Sequence, residues 1–253
     1  MFRYQLLIEY LGTNYKGWQI QKKNKTIQGI LQDKIRKLLK ENITIVGSGR
    51  TDAGVHAIEQ SAHFDLKNKL LSLDKFINSI NHFLKNENIA ILKIRKRSSN
   101  FHSRFSAKKR IYKYIILNRT SSPVIEKNQV WHVRKKLDLD LMKLGAKKLV
   151  GTKDFSTFRA SSCNAKSPVR TMDFVKLKYS NDKIEIQFKS QSFLQQQVRS
   201  MVGCLKYLGE KKWDLKKFDK ALKSKKRSLC APPAPPTGSV SYTHLTLPTN
   251  REV

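Results

Sequence analysis

The sequence predicts an α+β fold built from two ferredoxin-like halves, each with the element order β-α-β-β-α-β. Apolar residues alternate along several short segments, whereas other segments carry apolar residues at helical spacing. The same order of segments then begins again after about residue 105. Two such halves predict a mixed, mostly antiparallel sheet with a central cleft. The expected domains are 1–105, 106–238 and a terminal segment, 239–253.

The first half is predicted from one alternating strand and two amphipathic helices. Phe2, Tyr4, Leu6, Ile8 and Tyr10 alternate, as on a strand with one apolar face. A helix capped by Thr26 is expected next, running from Ile27 to Leu39. Two strands should follow, near 43–47 and 59–65. The half then ends with a second helix and a strand at 89–95, and the apolar stripe of that helix is formed by Leu73, Phe76, Ile77, Ile80, Phe83 and Leu84.

The second half repeats this pattern. It is expected to begin with a strand at 110–117 and a helix that ends at Gly151 and has apolar residues at Leu141, Leu144, Ala146 and Leu149. A hairpin should follow, with strands at 171–179 and 183–189 and a turn at 180–182. The last two elements are a helix from about Phe193 to Leu208 and a small helix near 215–222.

The terminal segment departs from the rest of the chain. The repeat requires a final strand after CAPPAPP, but residues 240–249 resemble the translation of a sequencing-library adapter. We therefore expect 239–253 to be a non-native tail that replaces the last strand, so that the natural strand is missing. The alternative is a genuine strand of unusual polarity.

The charge of the chain favours a polyanionic partner. Lys and Arg total 51 against 19 Asp and Glu, which gives a net charge of +32. With 39% hydrophobic residues the chain is too apolar for a disordered polycation, and nucleic acid is the commonest partner of so basic a folded protein. The alternative is a compositional bias, because Lys strongly outnumbers Arg.

Cysteine usage and hydropathy exclude other classes of protein. Cys163, Cys204 and Cys230 form no CxxC pair and are odd in number, which argues against a disulfide framework and a zinc site. A reducing cytoplasm is the simplest compartment. No apolar run reaches about 18 residues, so we expect no membrane span. The first ten residues are interpreted as a strand, not as a signal peptide.

The densest motif in the chain is GSGRTDAGVHA, at 47–57, which places Arg50, Thr51, Asp52 and His56 among three glycines. Such a segment is compatible with a simple tight turn. It is equally compatible with a site at which glycines admit a substrate backbone and Asp52 projects beside a cation. His56 and His102 have no second ligand at metal spacing, so no metal is expected, and His56 is predicted to fix the loop by hydrogen bonding.

Six blocks, in this order, carry a resemblance to a known family: YLGTNYKGWQIQ, GRTDAGVHA, FHSRFSAKKRIYKYII, DFSTFRAS, FLQQQVRSMVG and CAPPAPP. They closely resemble the tRNA pseudouridine synthase A family over residues 1 to about 238. The resemblance implies the pseudouridine synthase fold and a cofactor-free, homodimeric isomerase. That family converts uridines 38, 39 and 40 of the tRNA anticodon stem-loop to pseudouridine.

The resemblance also assigns residues. It implies that Asp52 is the catalytic carboxylate, that Tyr112 stacks on the target uracil and that Arg199 pairs with Asp52. Arg50 and Arg104 are expected to bind substrate. The chain departs from the family at Ile111, where a second Arg is common, and at 195–197, where relatives often have His and this chain has Gln.

Without the resemblance, these residues leave alternatives open. Tyr112 and Tyr114 point to the same face of a strand, and such pairs are often core residues, although neighbouring cations suit a stacking platform. Arg199 lies beside an apolar stripe and is compatible with a snorkelling side chain. Arg104 is compatible with a solvated surface position.

The rival function is a non-catalytic RNA-binding protein of two ferredoxin-like modules. The absence of a basic-Gly-aromatic-Gly-aromatic run counts against it. A nuclease is disfavoured because two-metal sites need several acidic residues close together.

Overall fold

A computed structural model describes residues 1–242 and divides the chain into two compact units. Unit 1 comprises Met1–Arg110 together with the chain from Ser241, and unit 2 comprises Ile111–Val240. The division after Arg110 lies a few residues beyond the expected boundary between 105 and 106. Among residues 1–242, no helix combines the length and apolar content needed to cross a membrane.

Unit 1 has the predicted order of elements: β1 (Phe2–Tyr10), α1 (Ile27–Leu39), β2 (Val46–Gly47), β3 (His56–Leu66), α2 (Leu73–Leu84) and β4 (Ile89–Arg97). Strand β1 pairs antiparallel with both β3 and β4, and β2 pairs antiparallel with β3. The alternation of β1 is confirmed, since Tyr4, Leu6, Ile8 and Tyr10 are buried in one core. The cap is also confirmed: Thr26 Oγ1 accepts the Gly29 N–H at 3.3 Å.

Strand β2 is shorter than the predicted 43–47, because side chains of α1 bind the backbone that would otherwise join the sheet. Arg36 Nε donates to Ile43 O at 3.0 Å. Gln32 Oε1 accepts from Ile45 N at 3.1 Å, and Gln28 Nε2 donates to Ile45 O at 2.7 Å. Buried polar backbone groups need such partners, and here helix side chains supply them.

The elements of unit 2 are β5 (Arg110–Leu117), β6 (Trp131–His132), α3 (Leu139–Leu149), β7 (Gly151–Asp154), β8 (Val169–Ser180), β9 (Lys183–Ser190), α4 (Gln197–Gly209), α5 (Leu215–Ser224) and β10 (Ser239–Tyr242). Two of these strands cross the division between the units. The first residue of β5 and the last two residues of β10 are assigned to unit 1. Strands β7, β8 and β9 are successive antiparallel neighbours, and β5 follows β9 in the sheet. The short β6 pairs parallel with β5. The α+β class and the mostly antiparallel pairing are confirmed.

Two helix predictions in unit 2 were wrong in detail. Helix α4 begins at Gln197 and not near Phe193, because Gln196 has φ +61 and stands in the left-handed region just before it. The buried stripe of α3 is Met142, Gly145, Ala146 and Leu149, whereas Leu144 is 46% exposed. The predicted hairpin turn is confirmed at Asn181 and Asp182, both with positive φ.

The segment 239–253, which we expected to replace a missing natural strand, itself begins with a strand, and its non-native origin stays a prediction. Strand β10 forms over the first four residues of 239–253, and Ser239 and Ser241 are buried while the residues between and after them are half-buried. This alternation is what a strand requires of its two faces, and small serines fit the buried face. The remainder of the adapter-like segment, from residue 243, lies outside the described residues.

Candidate active site

The loop that carries Asp52 connects β2 to β3. These strands pair at Val46–His63 and Gly47–Ala62, so residues 48–55 leave the sheet and return to it within one short excursion. Thr51 and Val55 are buried, whereas Asp52 between them is half-buried. The loop therefore has a packed base, with Asp52 half-buried upon it.

Thr51 fixes the position of Asp52 through one contact with the last residue of β1 and one with the segment that follows this strand. Its Oγ1 shares a 2.8 Å hydrogen bond with the Tyr10 hydroxyl, and its carbonyl accepts the Trp18 N–H at 3.1 Å. A Cβ on Gly17, which has φ +91, would lie 2.6 Å from that same carbonyl. The glycine thus permits a close approach that a larger residue would prevent.

The far end of the loop is held by the same segment. Gly12 N–H donates to His56 Nδ1 at 2.9 Å, which confirms the prediction that His56 fixes the loop by hydrogen bonding. Gly54 N–H donates to Tyr15 O at 3.2 Å. Gly12 packs so closely that a Cβ there would lie 2.0 Å from Val55 O. The block YLGTNYKGW is therefore the frame of the Asp52 loop.

Arg110 links this loop to a second segment of unit 1. One nitrogen, Nη2, donates to Ser48 O at 2.7 Å and to Arg104 O at 3.2 Å. Gln60 Nε2 also donates to Gly49 O, at 2.7 Å. The sequence did not single out Arg110 or Gln60, because their acceptors are backbone carbonyls, which every sequence offers. Arg110 lies within the block FHSRFSAKKRIYKYII, and that position was its only available sign, whereas Gln60 lies outside the recognised blocks.

The two arginines predicted to bind substrate lie at the surface of unit 1. Arg50 follows the glycine pair of the loop, is exposed, and donates from Nε to Gln19 Oε1 at 3.1 Å. Arg104 is exposed, and its guanidinium lies 5.8 Å from the centre of the Phe105 ring. Both cations are therefore placed where a solvent-exposed polyanion could reach them.

We expect Arg110→Met to loosen the Asp52 loop. The variant keeps the length of the side chain but removes the donor that bridges two carbonyls, and a hydrogen bond from a charged group contributes roughly 1.5–3 kcal/mol. Peptides covering 47–57 and 99–106 should exchange amide hydrogens faster than in the parent, as measured by mass spectrometry.

Arg36→Met is the matched control, because Arg36 donates to a single carbonyl, Ile43 O, elsewhere in unit 1. It should change exchange near residue 43 and leave 47–57 as in the parent. Unaltered exchange of 47–57 in Arg110→Met would show that the bridge does not hold the loop.

In unit 2, the two tyrosines of β5 have different environments. Tyr114 is fully buried, its hydroxyl donates to Pro235 O at 2.6 Å, and burial raises its pKa well above the usual range. Tyr112 is half-buried and meets Phe193 edge-to-face, with ring centres 5.0 Å apart. The alternation of a strand could not separate these two residues, whereas their burial does.

Arg199 on α4 joins two of the sequence blocks within unit 2. Its Nε donates to Ala234 O at 2.7 Å, and its carbonyl accepts the Ala234 N–H at 2.9 Å. The side chain is half-buried and anchored through its guanidinium, unlike a snorkelling arginine, whose head lies in water. FLQQQVRSMVG and CAPPAPP are therefore in contact.

Gln197, one of the three glutamines where relatives often have His, forms a hydrogen bond at the start of α4. Gln197 is fully buried, and its Oε1 accepts the Leu194 N–H at 2.8 Å, immediately before the helix. The amide thus satisfies backbone where α4 begins. Within the described range 1–242, no three His, Cys, Asp or Glu side chains gather as a metal-binding group.

The structure therefore distributes the five predicted site residues over the two units. Unit 1 holds Asp52, Arg50 and Arg104, and Arg110 connects the loop of the first two to the backbone of the third. Unit 2 holds Tyr112 and Arg199. Each residue lies on a segment that named hydrogen bonds or ring contacts hold in place.

Comparison with known proteins gives consistent matches. A sequence model of the family described as tRNA pseudouridine synthase matches residues 6–106 and 146–244. The chain is 67% identical over 238 residues to tRNA pseudouridine synthase A of Pelagibacter ubique, which covers 94% of this chain and 97% of the relative. It is 42% identical over 238 residues to the protein of the same name from Parvibaculum lavamentivorans, covering 94% and 96% of the two chains.

Proposed function

Because the chain belongs to the tRNA pseudouridine synthase family, we propose that it isomerises uridine to pseudouridine at positions 38, 39 and 40 of the tRNA anticodon arm. The observation that carries the proposal is the Asp52 loop, in which Asp52 is half-buried and hydrogen bonds hold the loop on both sides. A partly exposed acidic residue on a loop held in this way suits chemistry on a substrate that must enter from outside.

The reaction breaks the bond between C1′ and N1 of the uridine and forms a bond between C1′ and C5. The uracil turns while it is held, N1, freed from C1′, gains a proton, and the proton of C5 is released to solvent. A stacked base cannot undergo these steps, so the nucleotide must first be flipped into a pocket. The ionised Asp52 carboxylate either attacks C1′ or removes the proton of C2′, and the uracil leaves as a stabilised anion.

The remaining site residues support this chemistry in the proposal. The half-buried ring of Tyr112 stacks on the target uracil. Arg199 pairs with Asp52 and keeps it ionised, since a planar guanidinium is suited to a carboxylate. Arg50 and Arg104 contact the RNA, and the net charge of +32 favours association with the tRNA backbone. We further propose a cofactor-free homodimer that acts in the cytoplasm.

The proposal predicts release of tritium from unmodified tRNA labelled at C5 of its uridines. The parent protein should release label, and a tRNA with no uridine at positions 38, 39 and 40 should release none. Far-ultraviolet circular dichroism establishes that the protein used is folded. Folded protein that binds tRNA without releasing tritium would contradict the proposal and favour the RNA-binding alternative.

A further inference from the structure

Phe105 places an aromatic ring in solvent beside the Asp52 loop. Its side chain is 77% exposed, compared with 51% for Tyr179 and 41% for Phe83. Single exposed apolar residues are common on protein surfaces, so exposure alone implies nothing. What distinguishes Phe105 is the way its neighbours hold the ring and the charge that surrounds it.

The neighbours of Phe105 form a closed turn around His102. His102 Nδ1 accepts the N–H groups of Arg104 at 3.1 Å and of Phe105 at 3.4 Å. Ser106 closes the turn, because its N–H donates to His102 O at 2.8 Å and its Oγ accepts the His102 N–H at 3.0 Å. The rings of His102 and Phe105 lie 4.4 Å apart. One face of Phe105 is thus supported from within the turn.

The turn is anchored to strand β3 through a neutral histidine. His63 Nδ1 accepts the Ser103 N–H at 3.2 Å and lies 3.0 Å from Ser103 Oγ, and Ser103 is fully buried. Burial, together with the charge of Arg3, lowers the pKa of His63 to about 4, so the ring is neutral at physiological pH and can accept these bonds. The exposed ring therefore stands on a rigid base.

The turn is also joined to the proposed catalytic loop. Arg110 Nη2 contacts Arg104 O and Ser48 O together, so the backbone beside Phe105 and the backbone that precedes Asp52 share one donor. The exposed cations Arg104 and Lys108 flank the ring in sequence, and the Arg104 guanidinium lies 5.8 Å from its centre. A ring among cations is the arrangement with which proteins stack unpaired bases and hold the adjoining phosphates.

We propose that the exposed face of Phe105 stacks on an unpaired base of the substrate RNA while Arg104 contacts the adjoining phosphate. This inference rests on the proposed function, because it requires an RNA substrate with bases outside the helical stack. Phe105 is thus a positioning residue that holds RNA beside the Asp52 loop. It takes no part in bond breaking.

The test is a series of substitutions at Phe105 in the full chain, with unmodified tRNA transcript as the probe. Phe105→Ala and Phe105→Leu should each weaken tRNA binding about tenfold, whereas Phe105→Trp should bind within a few fold of the parent, because stacking needs a π-face. Tritium release at saturating tRNA should change little. A purely apolar contact would be preserved by Leu, so the order of affinities identifies stacking.

Phe83→Ala is the matched control, since Phe83 is also an exposed phenylalanine of unit 1, located on α2. It should bind tRNA as the parent does. The Phe105 variants should retain the thermal midpoint of the parent, because the Phe105 side chain is mostly in water. Sedimentation without RNA should give one mass for the parent and Phe105→Ala.

Three outcomes would overturn the inference. Parent-like affinity in Phe105→Ala would show that the ring binds no base. A change of mass in Phe105→Ala would assign the ring to contact between copies of the chain. If the parent protein neither binds tRNA nor releases tritium, both the proposed function and this inference are wrong. If the parent is active and Phe105→Ala binds tRNA as the parent does, only this inference is wrong.

Discussion

We expect Asp52→Asn to abolish tritium release, with a rate below about one ten-thousandth of that of the parent, while tRNA affinity stays within a few fold. The amide has nearly the same shape as the carboxylate but is neither a nucleophile nor a base at neutral pH. Affinity is preserved because phosphate contacts by cations dominate the binding of nucleic acid. Tritium release and filter binding on the same preparations measure the two quantities.

Asp33→Asn is the matched control for this loss. Asp33 is an exposed acid on α1, so its substitution removes the same charge at a distance in sequence from the loop. It should leave both turnover and affinity unchanged. Substantial tritium release by a folded Asp52→Asn protein would exclude Asp52 as the catalytic carboxylate.

The second large effect concerns the frame of the loop. The added Cβ of Gly12→Ala would lie 2.0 Å from Val55 O and 2.6 Å from the carbonyl carbon, and both atoms belong to the backbone. The two segments must therefore separate, which lengthens the bond from Gly12 N to His56 Nδ1. We expect a loss of roughly 2–3 kcal/mol in stability and at least about a hundredfold loss of turnover.

Urea unfolding midpoints and tritium release check this prediction, with Gly49→Ala as the control for stability. A Cβ on Gly49 would meet only Arg110 Nε at 3.7 Å, an ordinary van der Waals contact. Its midpoint should remain close to that of the parent. If Gly12→Ala unfolds at the parent midpoint and retains full turnover, the contact between residues 12 and 55 does not constrain the loop.

Local patterns predicted those parts of the fold that are determined locally. The alternation of β1 and the Thr26 cap were predictable because each depends on residues within one element. Strand β2 was predicted too long. The length of the strand depends on Gln28, Gln32 and other side chains of α1, which bind the backbone that precedes it. The left-handed Gln196 was equally unpredictable, since no local rule favours Gln in that conformation.

In the candidate site, too, residues in specific motifs could be predicted from the sequence, whereas residues that act through backbone contacts could not. Asp52 was singled out because its motif is specific, and hydrogen bonds hold its loop at both ends, while its catalytic role stays a prediction. Arg110 was missed because a donor to backbone carbonyls leaves no pattern in the sequence. Phe105 lay inside a recognised block, but only its exposure and the turn around His102 distinguish it from a core phenylalanine.

The two hydrogen bonds between Arg199 and Ala234 have a consequence for folding of the chain during its synthesis on the ribosome. The chain is synthesised from its N-terminus, so Arg199 is made 35 residues before its anchor. Until Ala234 has emerged, neither of these two hydrogen bonds exists. A translation product that stops before residue 234 would therefore contain the entire Asp52 loop yet lack both contacts between Arg199 and Ala234. The anchored arrangement of Arg199 is thus reached only after residue 234 has been translated.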